Sequence, residues 1–351
     1  MSALLSPLAA LYGGALGARA LLYRRGWLGI ETAPVPVVSV GNLVAGGTGK
    51  TPVTALVARF LREAGLRPAI VSRGYLGKRA VDPLVVSDGS GASPAATAAA
   101  AGDEPAMLAG LLPSTPVVVA RRRLEGARLA VSALGARSIV LDDGFQHVAL
   151  RRDLDLVLVD SAAPFDNGRL LPAGLLREPP RALARAGAIL VTGEGGDPES
   201  GIARWVRPGT PIFHVQVSPV SLRVARPDVK PEPLELSALV GARVVAFAGI
   251  ARPERFAATL RSLGAELAEF HPFGDHHAFR ARDVARLSEA ASRHGARFLL
   301  TTEKDLARMM GSPHFHALAR QRLAALHVEA ALAPGEEPAF RALVVKGGTP
   351  A

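Results

Sequence analysis

Cysteine is absent from the 351 residues. Its absence excludes disulfides, thiolate nucleophiles and cysteine-ligated zinc or iron–sulfur sites. Aromatic residues make up 5% of the chain, and few lie near its basic runs. A single-stranded nucleic-acid groove built on base stacking is therefore not expected. Acidic residues are the minority charge: 31 Asp and Glu against 41 Lys and Arg leave a formal charge of +10. Because the basic residues are scattered and form no stripe, nucleic acid is not the expected partner. The balance favours nucleotides, phosphorylated lipids or a membrane surface. What remains, 49% hydrophobic and 21% charged, is ordinary for a folded globular chain. At roughly 150 residues per domain, the length suggests about two domains.

No apolar run reaches the roughly 20 residues of a comfortable membrane span. The nearest is 1–18, which is uncharged and stopped by Arg19. With no basic residue before it, it fits a signal peptide poorly. Leu4, Leu5, Leu8, Leu11, Tyr12 and Leu16 recur at helical spacing, and Arg24 and Arg25 follow. Two readings stand: an interfacial helix with arginines at lipid headgroups, or a helix packed on its own domain.

From residue 36 apolar strand candidates alternate with helical patterns. Strands are expected over 37–40, 69–71, 116–119, 138–141, 156–159 and 188–191, with helices over 53–63 and 124–134 between them. Short buried strands alternating with helices predict an α/β fold, a parallel sheet with helices on both faces. The Ala-rich run 91–102 reads as a mobile loop. Two β-like segments, 212–217 and 221–225, are separated by Ser218-Pro219, and the proline-rich run 227–233 reads as a linker. A second α/β pattern then begins: strands over 244–247, 298–301 and 326–330, and helices over 254–263 and 281–293. The expected organisation is an apolar N-terminal helix (1–30), a P-loop domain (31–226) and a smaller α/β domain (227–351).

The strand over 37–40 runs into Gly41-Asn42-Leu43-Val44-Ala45-Gly46-Gly47-Thr48-Gly49-Lys50-Thr51-Pro52. Strand, glycine-rich turn, Gly-Lys-Thr and helix start are the context a P-loop requires. Gly46, Gly47, Thr48 and Gly49 would cradle phosphate, helped by the helix N-terminus. Lys50 would reach the β- and γ-phosphates, and Thr51 would ligate Mg²⁺. The strict pattern has glycine where this chain has Val44, and Ala45 replaces the extra lysine of some ATPases with this loop variant.

Other runs carry chemistry with ordinary structural alternatives beside it. The strand over 138–141 ends in Asp142 and Asp143, acids of the kind a Mg²⁺-nucleotide site needs. Asp160 closes another strand in the same way, and there a turn or helix cap is the preferred reading. Gly102-Asp103-Glu104-Pro105 could supply a base and part of a Mg²⁺ shell, or could simply cap a helix. Phe273-Gly274-Asp275-His276-His277 could be an acid–base or metal cluster, or a hydrogen-bonded loop. Thr301-Thr302-Glu303-Lys304-Asp305 reads as a capping turn.

Taken in order, these runs resemble the tetraacyldisaccharide 4′-kinases of lipid A synthesis over nearly the whole chain. The resemblance is carried by the phosphate loop, Ser72-Arg73-Gly74-Tyr75, Gly102-Asp103-Glu104-Pro105, Asp142-Asp143-Gly144-Phe145-Gln146-His147 and Asp275-His276. Leu171-Pro172-Ala173-Gly174, Arg177-Glu178 and Thr302-Glu303-Lys304-Asp305 match as well. The resemblance implies ATP-dependent phosphorylation of the 4′-hydroxyl of a lipid disaccharide 1-phosphate, giving lipid IVA. The place implied is the cytoplasmic face of the inner membrane, with peripheral or single-helix membrane contact. It implies Asp103 as base with His276 as partner, and Lys50 and Thr51 on phosphate and Mg²⁺. Glu104, Asp142 and Asp143 fall in the Mg²⁺ surroundings. Asn42, Tyr75, His147, Arg177 and Glu178 fall in the substrate cleft. Two rival classes are a membrane-bound ATPase switch, against which Ala45 counts, and a non-catalytic nucleotide- or lipid-binding module.

Overall fold

The computed structural model describes every residue except 1–4, 47–48, 92–96, 194, 227–228, 311, 313 and 351. Its strands, in chain order, are β1 (Val37–Asn42), β2 (Pro68–Ser72), β3 (Leu84–Ser87), β4 (Val117–Val119), β5 (Ser138–Asp142), β6 (Leu154–Asp160) and β7 (Ala188–Thr192). The second half adds β8 (Ile212–Arg226), β9 (Val229–Leu234), β10 (Arg243–Ala248), β11 (Glu266–Pro272), β12 (Phe298–Thr302) and β13 (Leu323–Leu332). All belong to one sheet, in the order β3-β4-β2-β5-β1-β6-β7-β8-β13-β12-β10-β11, with β9 on β8.

The phosphate-loop strand β1 lies between β5 and β6, parallel to both. Alternate residues explain the layers. Val38 and Val40 face Val53, Leu56, Val57 and Phe60 of helix Lys50–Glu63. Val37, Ile139 and Leu141 face the opposite layer, where Leu124 and Ala127 of helix Arg123–Leu134 lie. Buried on both faces, β1, β2, β5 and β7 therefore read as continuous apolar runs.

The long strand β8 is the seam. Its first residues pair parallel with β7, and residues Val215–Val224 pair antiparallel with β13. The break expected at Ser218-Pro219 is not there; β8 runs through. Pro219 lacks an N–H, and the register with β13 shifts opposite it, between His327 and Val328. The linker expected over 227–233 is likewise largely strand: β9 pairs antiparallel with the end of β8, and residues 227–228 lie outside the described residues. In the expected mobile run, 98–101 form a helical turn, while 92–96 lie outside the described residues.

Cores lie on both sides of the seam. In the second half Val244, Ala246 and Leu300 pack on Phe256 and Leu260, and Val245, Phe247 and Leu299 pack on Leu287, Leu306 and Met309. The last helix, Glu337–Gly347, returns to the first half. There Phe340 makes edge contacts with Phe60 and Phe213, at ring-centroid distances of 6.2 and 5.1 Å.

One glycine in β1 answers to close packing. A Cβ on Gly41 would stand 2.6 Å from Phe145 Cβ and 2.9 Å from the Phe145 nitrogen. The crossing backbone cannot move aside as a side-chain tip could. Gly41→Ala is expected to destabilise by about 1–3 kcal/mol, read as a lower urea midpoint; an unchanged midpoint would contradict this packing.

Candidate active site

The phosphate loop leaves β1 at Asn42, whose Nδ2 donates to the Val44 carbonyl at 2.6 Å. Gln146 Nε2 donates to the Asn42 carbonyl at 2.8 Å, tying this turn to the segment after β5. Gly46 and Gly49 have φ of 124° and 79°, a region that glycine enters freely. Gly47 and Thr48 lie outside the described residues. Helix Lys50–Glu63 starts with neither a side-chain cap nor an acidic residue in its first turn. Its first N–H groups and dipole are therefore suited to an anion. Lys50 is buried; its Nζ donates to the Gly46 carbonyl at 3.5 Å and lies 3.8 Å from Asp143 Oδ1. Thr51, half-buried, follows on the first turn.

The two acids expected at the end of β5 differ in environment. Asp142 is buried and accepts from Thr54 Oγ1 at 3.1 Å and Ser72 Oγ at 3.2 Å. Burial, followed by the nearby charges of Glu104 and Asp143, pushes its pKa up to about 7. Asp143 has φ of 53°, which turns the chain sharply after the strand. Burial alone would raise the Asp143 pKa, but Lys50 and Arg177 overcome it and hold the carboxyl below its ordinary value. Arg177 Nη1 donates to both Asp143 oxygens, at 2.8 and 2.6 Å.

This donor set suits nucleotide-bound Mg²⁺. Among the described residues no three His, Asp or Glu side chains form a ready metal cage. Mg²⁺ on a nucleotide needs only one or two carboxylates, with phosphate oxygens and water completing the octahedron. The carboxylates crowd enough to raise Asp142, so a cation there would be welcome.

Asp103 begins helix Asp103–Leu111, yet its side chain caps nothing in that helix. Instead, its Oδ2 meets His276 Nδ1 at 2.8 Å. Lys304 Nζ lies 3.3 Å from His276 Nε2. Because an ammonium only donates, Nε2 is the acceptor, and the ring proton sits on Nδ1, aimed at Asp103. His276 itself has φ of 59°. Its neighbour His277 takes a different job, meeting Asp283 at 2.9 Å and stacking on Phe273. The run 301–305 is thus more than a capping turn: it starts helix Glu303–Met310, which carries Lys304 to the Asp103–His276 pair, while Asp305 accepts from Thr302 and the Gly249 nitrogen.

The remaining expected cleft residues are placed as follows. Tyr75 is exposed, its ring edge-on to His276 at 6.0 Å. Glu178 pairs with Arg185 at 2.9 and 3.1 Å. His147 is pushed down to about 4 by burial and by Arg123, Arg152, Arg19 and Arg73, so its ring is neutral near pH 7. Asp160 accepts from the Ala162 and Ala163 nitrogens, the turn expected of it.

Two arginines were not singled out from the sequence. Arg308 Nε and Nη2 donate to Asp103 Oδ2 at 3.1 and 2.6 Å. A signal existed: Arg308 lies three residues beyond Asp305 on the same helical face. Arg123 is buried, and burial lowers its pKa to about 10, with Arg73 adding to the effect. Nothing in its local sequence separates it from other arginines.

The sequence profile of the family described as tetraacyldisaccharide-1-P 4′-kinase matches residues 1–347. The chain belongs to this kinase family. A tetraacyldisaccharide 4′-kinase of Anaeromyxobacter dehalogenans (strain 2CP-C) is 44% identical over 332 residues, 93% of this chain and 85% of that protein. The enzyme of the same name from Syntrophotalea carbinolica is 44% identical over 307 residues, 88% of this chain and 83% of its own. Among solved structures, the LpxK of Aquifex aeolicus in complex with ATP superposes with a TM-score of 0.78 at 31% identity, covering 99% of both chains. The P-loop kinase-like fold and the family resemblance read from the motifs therefore both hold.

Proposed function

We infer that this chain transfers the γ-phosphoryl group of ATP to the 4′-hydroxyl of a tetraacyldisaccharide 1-phosphate, giving lipid IVA. The observation that carries the mechanism is the Asp103–His276 contact. It joins residues 173 apart in sequence, beside a Glu104 close enough to raise Asp142. Phosphoryl transfer needs alignment and charge neutralisation more than covalent help. Backbone N–H groups of the phosphate loop and Lys50 hold the phosphates. Thr51, Glu104, Asp142 and Asp143 are the residues that would hold Mg²⁺, which would supply positive charge to the phosphate oxygens. Asp103 accepts the hydroxyl proton as the new O–P bond forms and the bond from the γ-phosphorus to the bridging oxygen breaks, releasing ADP, and the His276 N–H orients the receiving carboxylate. Residues 31–226 and 227–351 act as lobes of one cleft, with separate cores beside β8 and the last helix returning to the first lobe. Asn42, Tyr75, His147, Arg177 and Glu178 line it toward the sugar. The deciding experiment is transfer of labelled γ-phosphate to the acceptor lipid in detergent micelles, with Asp103→Ala as control. Labelled bis-phosphorylated lipid, lost in the control, supports the reading; phosphate released only to water overturns it.

The acceptor lipid also gives the N-terminal helix a role. No helix among the described residues is long and apolar enough to cross a membrane. Helix Ser6–Arg24 instead exposes Leu8, Leu11 and Leu21, and Trp27 and Ile30 follow it, also exposed. The same helix reaches the site: Tyr12 Oη donates to the Arg177 carbonyl at 2.9 Å, and Arg19 donates to the Gln146 carbonyl at 3.1 Å. The apolar face lies in the cytoplasmic leaflet of the inner membrane, with Arg24 and Arg25 at its headgroups. Leu8→Glu with Leu11→Glu and Trp27→Ser is expected to weaken sedimentation with anionic vesicles at least tenfold, each lost apolar side chain being worth about 1.5–3 kcal/mol. Unchanged partitioning would refute the interfacial placement.

A further inference from the structure

Among the described residues, all the hydrogen bonds to the Asp103 carboxylate fall on one oxygen. His276 Nδ1, Arg308 Nε and Arg308 Nη2 all meet Oδ2, at 2.8, 3.1 and 2.6 Å. Among the described residues, no hydrogen bond is made to Oδ1. The Arg308 guanidinium is itself anchored: Nη1 donates to Asp305 Oδ1 at 2.7 Å and to the His277 carbonyl at 3.2 Å. Asp305 is fully buried and also accepts from the Gly249 nitrogen and Thr302 Oγ1. Asp103 and Arg308 are both nearly buried, and they come from opposite sides of the seam.

We propose that Arg308 is a positioning residue for phosphoryl transfer: with His276 it clamps Oδ2 of Asp103 and leaves Oδ1 to receive the proton of the acceptor hydroxyl. This rests on Asp103 being the base. An aspartate carboxylate turns about its last torsion with little preference between its two oxygens. Three donors on one oxygen remove that freedom and fix where the other lies. A planar guanidinium can serve Asp103 through one edge and Asp305 through another; an ammonium on a flexible stem cannot. The clamp also spans the seam, so it forms only where helices Asp103–Leu111 and Glu303–Met310 come together.

The test is steady-state transfer to the lipid acceptor by Arg308→Met, Arg308→Lys, Asp103→Ala and the Asp103→Ala/Arg308→Met double variant. Arg308→Met should lower kcat about 100-fold, the scale of a small misplacement of a reacting group. KM for Mg·ATP should stay within about twofold, because Arg308 touches no part of the phosphate loop. In the double variant the second change should cost nothing further, since the group it positions is gone. An unchanged kcat in Arg308→Met, or losses that multiply in the double variant, would overturn the clamp while leaving Asp103 as base. Full transfer by Asp103→Ala would overturn both. If Arg308→Met does not fold, Arg308→Lys decides: kcat lowered about tenfold or more supports the clamp, and wild-type kcat refutes it.

Discussion

Asp142→Asn is expected to raise the melting temperature and to remove lipid phosphorylation in the same variant. Asp142 is fully buried, and its pKa stands near 7, against an ordinary value of 3.8. A carboxyl whose folded pKa is raised opposes folding wherever the unfolded chain is ionised. At pH 8 the native state must keep that charge against burial and the charges of Glu104 and Asp143. A shift of this size corresponds to a cost on the order of a few kcal/mol. The cost shrinks as pH falls from 7 towards 4, because the folded carboxyl is then protonated. Asparagine has the same shape and can accept from Thr54 or Ser72, so the packing is kept while the charge is removed. Thermal melts at pH 8 should show the variant more stable by a few degrees, with the gain disappearing near pH 4. Its kinase activity should fall by a factor on the order of 10²–10³ through loss of one charge-stabilising ligand. A variant less stable than the parent at pH 8 would show that the Asp142 charge is already compensated. Sites that must hold uncompensated charge commonly trade stability for function in this way.

The strands that position this site were legible because burial on both faces leaves no polar alternation. Helix Ala281–Arg293 was placed to the residue, since its polar and apolar faces are sharply divided. Strands β3 and β11 escaped notice. β3 is four residues long, and β11, an edge strand, reads Glu-Leu-Ala-Glu-Phe-His-Pro, too mixed for a buried-strand pattern. The continuity of β8 through Pro219 was hidden because a proline inside a run normally demotes it, and only the register shift on β13 absorbs it. At the site, motif residues adjacent in sequence could be read together: Lys50 with Thr51, and Asp142 with Asp143. The Asp103–His276 pairing came from family resemblance, because local spacing says nothing about contacts across 173 residues. Local spacing ties Arg308 to Asp305, three residues away, and its second partner, Asp103, appears only when helix Glu303–Met310 docks there.

Lys50→Met should cost about 10²–10³ in kcat with saturating lipid, and should raise KM for ATP as well. The Lys50 ammonium lies between the Gly46 carbonyl and Asp143 in a site 8% exposed. There a charge is worth more than in water, and it can neutralise the transferred group without reorganising solvent. Arg177 is the second cation on Asp143, at 2.6 Å. It still balances that carboxylate when Lys50 is gone, so the melting temperature should change little. Lys50→Arg should not rescue transfer, because a planar fork is broader than an ammonium and the Gly46 carbonyl stands only 3.5 Å from Nζ. Arg177→Met should behave in the opposite way. It leaves Lys50, at 3.8 Å, and the more distant charge of Arg123 to balance a half-buried carboxylate, and should cost more stability than Lys50→Met does. Measuring kcat, KM for ATP and melting temperature for both variants separates the roles. If Lys50→Met kept more than about a tenth of the activity, its place on the phosphates would be wrong. If both variants lost stability equally, Asp143 would depend on the two cations alike, and Lys50 would be as much a structural partner as a phosphate ligand.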